Sequence, residues 1–212
     1  MADQHPSPGH AQVHLLIPNM MKKFLLVLFV AMSAVLLAFC ANRKAPRELE
    51  ISFNYTKQQG PGSNQYAVWI EDEAGNVVKT LFVTEFTSKG RSRGGQPAQR
   101  GYTYRPTCMP SWVKAVKAET LTDAQMDAFT GATPANSGIQ TFTWDFTDQE
   151  GEAVPAGTYK VYLQATYYNE GIVTYSASFS SKDTGPLTLQ ETFAADVQEH
   201  KDMISQVKAE LR

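Results

Sequence analysis

Leu49, Ile51, Phe53 and Tyr55 alternate with Glu50, Ser52 and Asn54. A period of two sends one set of side chains into a core and the other toward water, which predicts a half-buried strand. Gln58 to Ser63 carries Gly-Pro-Gly and predicts a turn. Residues 64–72 and 77–85 read as the second and third strands, joined through Ala74-Gly75-Asn76 as a hairpin. Residues 139–146 return to alternation, and Asp148 to Gly151 forms the next turn. Residues 157–168 place Tyr159, Val161, Leu163 and Ala165 on one face and Tyr162 on the other. Asn169-Glu170-Gly171 is a further hairpin signal, and residues 172–179 run back. Five or six strands with short turns predict an all-β fold, an antiparallel β-sandwich of one domain over residues 48–212.

Between strands 3 and 4 the pattern changes. Residues 86–107 are rich in Ser, Lys, Arg, Gly and Pro, hold Arg91, Arg93, Arg100 and Arg105, and predict a long exposed loop. Residues 109–118 place Trp112, Val113 and Val116 at helical spacing, with Pro110 suited to a first turn. A second short helix is expected over residues 123–129, capped by Thr122. The tail fits two readings. Leu189, Phe193, Val197, Ile204, Val207 and Leu211 suit an amphipathic helix, whereas Val207, Ala209 and Leu211 suit a closing strand.

The front of the chain reads as an address. Lys22 and Lys23 precede an apolar run from Phe24 to Leu37, and small residues follow, so residues 21–40 predict a secretory signal peptide. The run is shorter than the roughly 20 residues that span a bilayer. Leu37-Ala38-Phe39-Cys40 also suggests a lipoprotein box, with Cys40 as a lipid anchor, although Phe39 is large for that position. Residues 1–20 form a polar extension ahead of the better start at Met21, so His5, His10 and His14 do not point to a metal site; Met1, Met20 and Met21 remain alternative starts. Residues 41–47 form a tether. These features place the mature chain in the periplasm or on the extracytosolic membrane face.

Composition narrows the field. A net charge of −2 carries no electrostatic footprint for nucleic acid. Two Cys do not build a disulfide scaffold, and four His without helical spacing argue against a zinc enzyme. Cys108, in Arg-Pro-Thr-Cys-Met-Pro, has no base nearby in sequence to make it a catalytic thiol. Residues 21–40 are apolar apart from Lys22, Lys23 and Ser33, so the mature core is more modest than the 42% hydrophobic content of the full chain.

Thr143 to Tyr159 contains Trp144-Asp145, an acidic turn and Val154-Pro155-Ala156-Gly157-Thr158-Tyr159. This pattern resembles bacterial immunoglobulin-like modules, including the flagellar hook-cap type, and makes the expected sandwich Ig-like. Asp145, Asp148, Glu150 and Glu152 lack the spacing of a calcium loop and read as a solvated turn.

Asp127-Ala128-Phe129-Thr130-Gly131-Ala132-Thr133 resembles the acceptor motif Asp-x-x-(Ser/Thr)-Gly-Ala-(Ser/Thr) of proteins that carry covalent FMN. The resemblance implies that a Mg-dependent FMN transferase joins the FMN phosphate to the Thr133 hydroxyl. It makes Asp127 a recognition acid, Thr130 the motif's first hydroxyl residue, and Gly131 and Ala132 the small residues that admit the transferase. Trp112, Trp69, Tyr66 and Tyr102 are candidates to pack the flavin ring, and Arg100 and Arg105 to meet its phosphate; ordinary packing and a solvated loop are the competing readings. Taken in order, Glu48 to Tyr55, Ser63 to Asp72, Lys79-Thr80-Leu81, Pro110-Ser111-Trp112, Asp127 to Pro134 and Thr143 to Tyr159 resemble the periplasmic family called domain of unknown function 2271, over residues 48–209. That resemblance implies an extracytosolic electron carrier whose partners are the transferase and a PepSY-type or other membrane redox protein. The alternative is a cofactor-free binding or structural module of the cell envelope. A hydrolase finds no support, because no Gly-x-Ser-x-Gly and no spaced His and acid are present.

Overall fold

The computed structural model describes residues 47–212 except Asp196 and Gln198. The extension, the signal, Cys40 and the tether as far as residue 46 lie outside the described residues. In chain order the elements are β1 (Leu49–Tyr55), β2 (Asn64–Asp72), β3 (Val77–Thr84), α1 (Glu85–Lys89), β4 (Arg91–Arg93), β5 (Gln96–Gln99), α2 (Gly101–Tyr104) and α3 (Pro110–Val116). A 3-10 turn (Ala118–Thr120), α4 (Asp123–Asp127), β6 (Thr130–Gly131), β7 (Gly138–Trp144), β8 (Thr158–Tyr167), β9 (Glu170–Ser180), β10 (Gly185–Pro186), β11 (Gln190–Phe193) and β12 (Ile204–Leu211) follow.

The strands form two main sheets. One has the order β10-β12-β1-β7, the other β11-β9-β8-β2-β3-β6, and β4 pairs with β5 alone. Pairing in the main sheets is antiparallel except where β6 joins β3. The alternating residues Leu49, Ile51, Phe53 and Tyr55 of β1 are all buried, facing Tyr66, Val68 and Ile70 of β2 and Val161, Leu163 and Ala165 of β8. Trp144, at the end of β7, closes one end of this core against Tyr159 and Phe179. The result is an all-β sandwich, as the alternation implies.

A second core lies on the outer face of the six-stranded sheet. Ala67, Trp69 and Val83 point away from the first core and meet Cys108, Met109, Trp112, Ala118, Met126 and Phe129. Seven consecutive residues of β2, Asn64 to Ile70, are therefore buried. Trp69 stacks on Tyr162 at 4.8 Å with the planes 6° apart. The Trp112 indole nitrogen donates to the Thr80 hydroxyl at 3.1 Å. Pro110 opens α3, where its missing N–H costs nothing, and the Gln164 side-chain oxygen accepts from the Ser111 amide at 3.1 Å.

The segment 86–107 is not the exposed loop its composition suggests. It folds into α1, the β4–β5 hairpin and α2, with Thr87, Ser88, Gly101 and Arg105 buried. Two glycines allow the crossing. A Cβ on Gly90 would lie 1.5 Å from the Gln99 carbonyl oxygen, and one on Gly101 would lie 2.0 Å from that of Phe86. Of the two readings of the tail, the closing strand forms. β12 pairs with β1 from Leu49↔Leu211 to Tyr55↔Ile204. Gln206, at φ 51°, sits in a bulge that shifts the register, so helical spacing of its apolar residues has no expression.

Because Trp112 belongs to a core, Trp112→Ala is expected to cost about 3–5 kcal/mol in urea denaturation, where a loop-borne Trp would cost under about 0.5 kcal/mol.

Candidate functional site

The segment 127–133 runs along the edge of the larger sheet. α4 is set by a capping box in which the Thr122 hydroxyl accepts from the Gln125 amide, and it ends at Asp127. Asp127 is exposed and pairs with Lys89 of α1 at 3.0 Å. Thr130 and Gly131 then pair in parallel with Val83 and Thr84 of β3. The Thr130 hydroxyl lies 2.6 Å from the Met126 carbonyl oxygen and 2.8 Å from the Ser88 hydroxyl, so it is committed within the fold. A Cβ on Gly131 would lie 2.2 Å from the Phe82 ring. Glycine is thus required here by close packing inside the chain, a constraint independent of any approaching enzyme.

Beyond Gly131 the chain leaves the sheet. Ala132 is exposed and Thr133 half-buried. The Thr133 hydroxyl donates to the Asn64 carbonyl oxygen at 3.4 Å, a long contact that holds it loosely. The Gln65 side-chain amide donates to that same carbonyl at 2.6 Å. Downstream, the Lys57 ammonium donates to the Ala135 carbonyl at 2.9 Å, and the Lys57 amide to the Ser137 hydroxyl at 2.9 Å. Thr133 is therefore flanked by fixed residues on both sides while its own hydroxyl stays lightly engaged.

Thr133 lies on the wall of a cavity of about 500 Å³, within the size range of small-molecule sites. Tyr55, Phe86, Lys57 and Arg91 line the same cavity, with Glu85 the one carboxylate of the wall among the described residues. The Arg105 guanidinium sits 5.1 Å over the Phe86 ring, and it donates to the Ser63 hydroxyl at 3.0 Å. A buried polar cluster backs the site: the Gln65 side-chain oxygen accepts from Thr84 and from Thr87 at 3.0 Å, and Thr87 lies 3.2 Å from the Cys108 sulfur. Burial pushes the Cys108 thiol up to about 11, with the Thr87 contact opposing it only in part. Burial likewise raises the Tyr55 phenol to about 12, so it stays protonated at neutral pH. Its hydroxyl is buried and, among the described residues, has no hydrogen-bond partner.

The aromatic candidates for ring packing lie elsewhere. Trp69 and Trp112 belong to the outer core, and Tyr66 is buried between the sheets, 5.1 Å from the Phe82 ring. The Tyr102 hydroxyl donates to the Ala118 carbonyl at 3.0 Å. Arg100 is held by the carbonyls of Ala118 and Leu121 and by Asp123 at 2.8 Å, with no place at the cavity. Arg105 touches the wall only through Ser63 and Phe86. Those apolar patterns reported core packing. The other residues that line the cavity leave little mark in the sequence: Tyr55 is an inward strand position, and Phe86 and Arg91 lie in a polar stretch. The one sequence signal for them was a Tyr ending an alternating strand beside a Gly-rich turn. The acidic turn 145–152 is tied down by its own chain, Asp148 accepting from the amides of Glu150 and Glu152, and Asp145 pairing with Lys79 at 3.2 Å.

Two outcomes follow from this geometry. Gly131→Ala is expected to destabilise the protein by about 1–3 kcal/mol in chemical denaturation, because the added methyl overpacks against Phe82. Iodoacetamide at pH 8 is expected to leave the Cys108 peptide unmodified in the folded protein and to alkylate it in urea, as peptide mass mapping reads directly; burial keeps the thiolate fraction low until unfolding.

Searches of curated proteins and of solved structures return no match. A family model described as "Predicted periplasmic protein (DUF2271)" matches residues 47–192, which takes in β1 through β10, nearly all of β11 and the whole site. The chain belongs to this family, DUF2271, and its compartment is the periplasm.

Proposed function

We propose that this protein carries FMN on Thr133, as a phosphoester, and serves as an electron carrier outside the cytosol. The observation that carries the reading is the position of the acceptor. Of the two motif hydroxyls, Thr130 is committed to Met126 and Ser88, whereas Thr133 is held by one 3.4 Å contact on the wall of a cavity. In the attachment step the Thr133 oxygen bonds to the FMN-side phosphorus of FAD. The pyrophosphate P–O bond breaks, AMP departs with the bridging oxygen, and the hydroxyl proton passes to a base of the transferase.

The residues of the cavity suit the group. Lys57 and Arg91 line the cavity and suit the single negative charge of the phosphodiester, with Glu85 the one carboxylate beside them among the described residues. The Phe86 ring, backed by Arg105, offers an apolar wall. The flavin, when bound, supplies the redox chemistry; the chain supplies position and partial shelter from water. Asp127, exposed beside Lys89, is left on the surface as a recognition feature for the transferase. A PepSY-type membrane redox protein is the partner class that fits the reading.

The test is co-expression with an FMN transferase. Intact mass is expected to rise by one FMN residue, with flavin fluorescence on the denatured band, and Thr133→Ala is expected to lose both. An unchanged mass beside an active transferase would return the reading to a cofactor-free binding module; loading of the Thr133→Ala protein would move the acceptor.

A further inference from the structure

A sheet edge that is long, regular and uncharged is a template for another strand, and monomeric proteins blunt such edges. The two main sheets end in β11 and β6 on one and in β10 and β7 on the other. Three of these edges are blunted. β6 and β10 are two residues long, and β10 ends on Pro186. β11 is four residues long and carries Glu191. β7 has none of these features: Gly138 to Trp144 runs for seven residues with no charge, no Pro and no bulge in its pairing with β1. The ladder gives the direction of its backbone groups. Glu48 and Arg212 exchange both backbone hydrogen bonds, at 3.3 and 2.9 Å, so the even-numbered residues that follow at the start of β1 face β12. The odd-numbered Leu49, Ile51 and Phe53 face β7, where they meet Trp144, Phe142 and Gln140. That turns the N–H and C=O groups of Ile139, Thr141 and Thr143 to the outer edge. Among the described residues these groups receive one hydrogen bond, from the Gln140 side-chain amide to the Ile139 carbonyl at 3.1 Å. All three residues are exposed, Ile139 at 73%.

We propose that the outer edge of β7 is a dimer interface, pairing antiparallel with β7 of a second copy of this chain about a two-fold axis at Thr141. The strand is its own complement in this register. Thr141 lies against Thr141 of the partner subunit and Ile139 against Thr143 of the partner subunit, and each of these pairs exchanges both backbone hydrogen bonds. The exposed Ile139 side chain gains a cross-strand neighbour, and Gln140 meets Phe142 of the partner subunit on the inner face. No like charges meet across the axis, because the strand has none. The two four-stranded sheets become one continuous sheet, which leaves neither copy an open β7 edge. One pair of strands buries little area, so the dimer is weak and forms in the micromolar range. The proposal is independent of the carrier reading.

The experiment is sedimentation equilibrium of the protein purified from the periplasm, from about 5 to about 500 μM, a range that brackets a weak interface. The wild-type chain is expected to pass from monomer to dimer mass across it. Two variants test the edge. Thr141→Pro removes an outward N–H and no bond to β1. Thr141→Lys sets two ammonium groups against each other at the axis while its own side chain stays on the exposed face. Both are expected to keep the wild-type urea midpoint and to remain monomeric throughout. Should the proline lower the midpoint, the lysine variant decides. A Thr141→Cys chain is expected to cross-link to itself under mild oxidation, which fixes the register, while the buried Cys108 of the wild-type chain does not cross-link. Monomer mass for the wild-type chain at every concentration, or a dimer that survives Thr141→Lys, would overturn the proposal; the first result is also the one given by any other segment occupying the edge.

Discussion

Strand β2 has to serve two cores at once, and the rest of the architecture follows from that. Its even-numbered side chains, Tyr66, Val68 and Ile70, fill the space between the sheets, while Ala67 and Trp69 face the other way. A two-layer sandwich would leave Trp69 in water. The segment between β3 and β7 removes it from water by laying α3, α4 and the turns around them over the outer face of the sheet. Burying a large aromatic side chain contributes roughly 1.5–3 kcal/mol, so Trp69 and Trp112 together are a strong reason for that segment to fold back. The Asp127–Thr133 motif lies at the far end of the same segment, and the chain must pass along the edge of β3 to return to β7.

The site sits at the seam where the two cores and a turn meet. Asn64 begins β2 and also ties the 58–63 turn, its side chain accepting from the Gln58 amide at 2.7 Å and donating to the Gln58 carbonyl at 3.1 Å. Its backbone carbonyl then receives Gln65 and Thr133. Tyr55 reaches the seam from the sandwich core and Phe86 from the outer layer. Seams of this kind are where cavities persist, because neither core controls the packing there and polar groups bridge them. The buried cluster of Gln65, Thr84 and Thr87 is the local price of that junction, and its hydrogen bonds leave the Gln65 oxygen satisfied.

The strands were legible for a simple reason: one face of each is apolar and the other polar, so Leu49 to Tyr55 and Tyr159 to Ala165 announce their period. The Asp127–Thr133 motif was equally legible as a string of residue types. The helical layer was not, since much of what holds α1 and α2 is polar or glycine. Thr87, Ser88, Gly90, Gly101 and Arg105 read as surface residues until their partners are known, because a hydrogen bond at long sequence distance leaves no periodic trace. Trp69 and Trp112 misled in the opposite direction: large aromatics near a motif suggest a ring site, yet their burial is complete without one. Arg100 is similar, its guanidinium used up on two carbonyls and Asp123. The tail stayed ambiguous because Val207, Ala209 and Leu211 satisfy a strand while wider spacings satisfy a helix; pairing with β1 decides it, and pairing is not a local property.

On the proposed function, the placement of Thr133 would reconcile two demands that a modifying enzyme makes on a folded substrate. The acceptor has to be reachable, which favours a mobile loop, and the modified group has to end in a defined place, which favours a rigid one. Here the rigidity is supplied by neighbours. Upstream, the two-residue strand β6 is held to β3 and locked by Gly131 against Phe82; downstream, Lys57 grips the Ala135 carbonyl and Ser137. Between these holds, Ala132 and Thr133 have left the sheet, and among the described residues the Thr133 hydroxyl makes one long hydrogen bond, to the Asn64 carbonyl. A group attached to Thr133, as proposed, would start from the wall of the cavity. On that proposal, the same motif on a free tail would leave the attached group exposed to water and its position relative to any redox partner undefined.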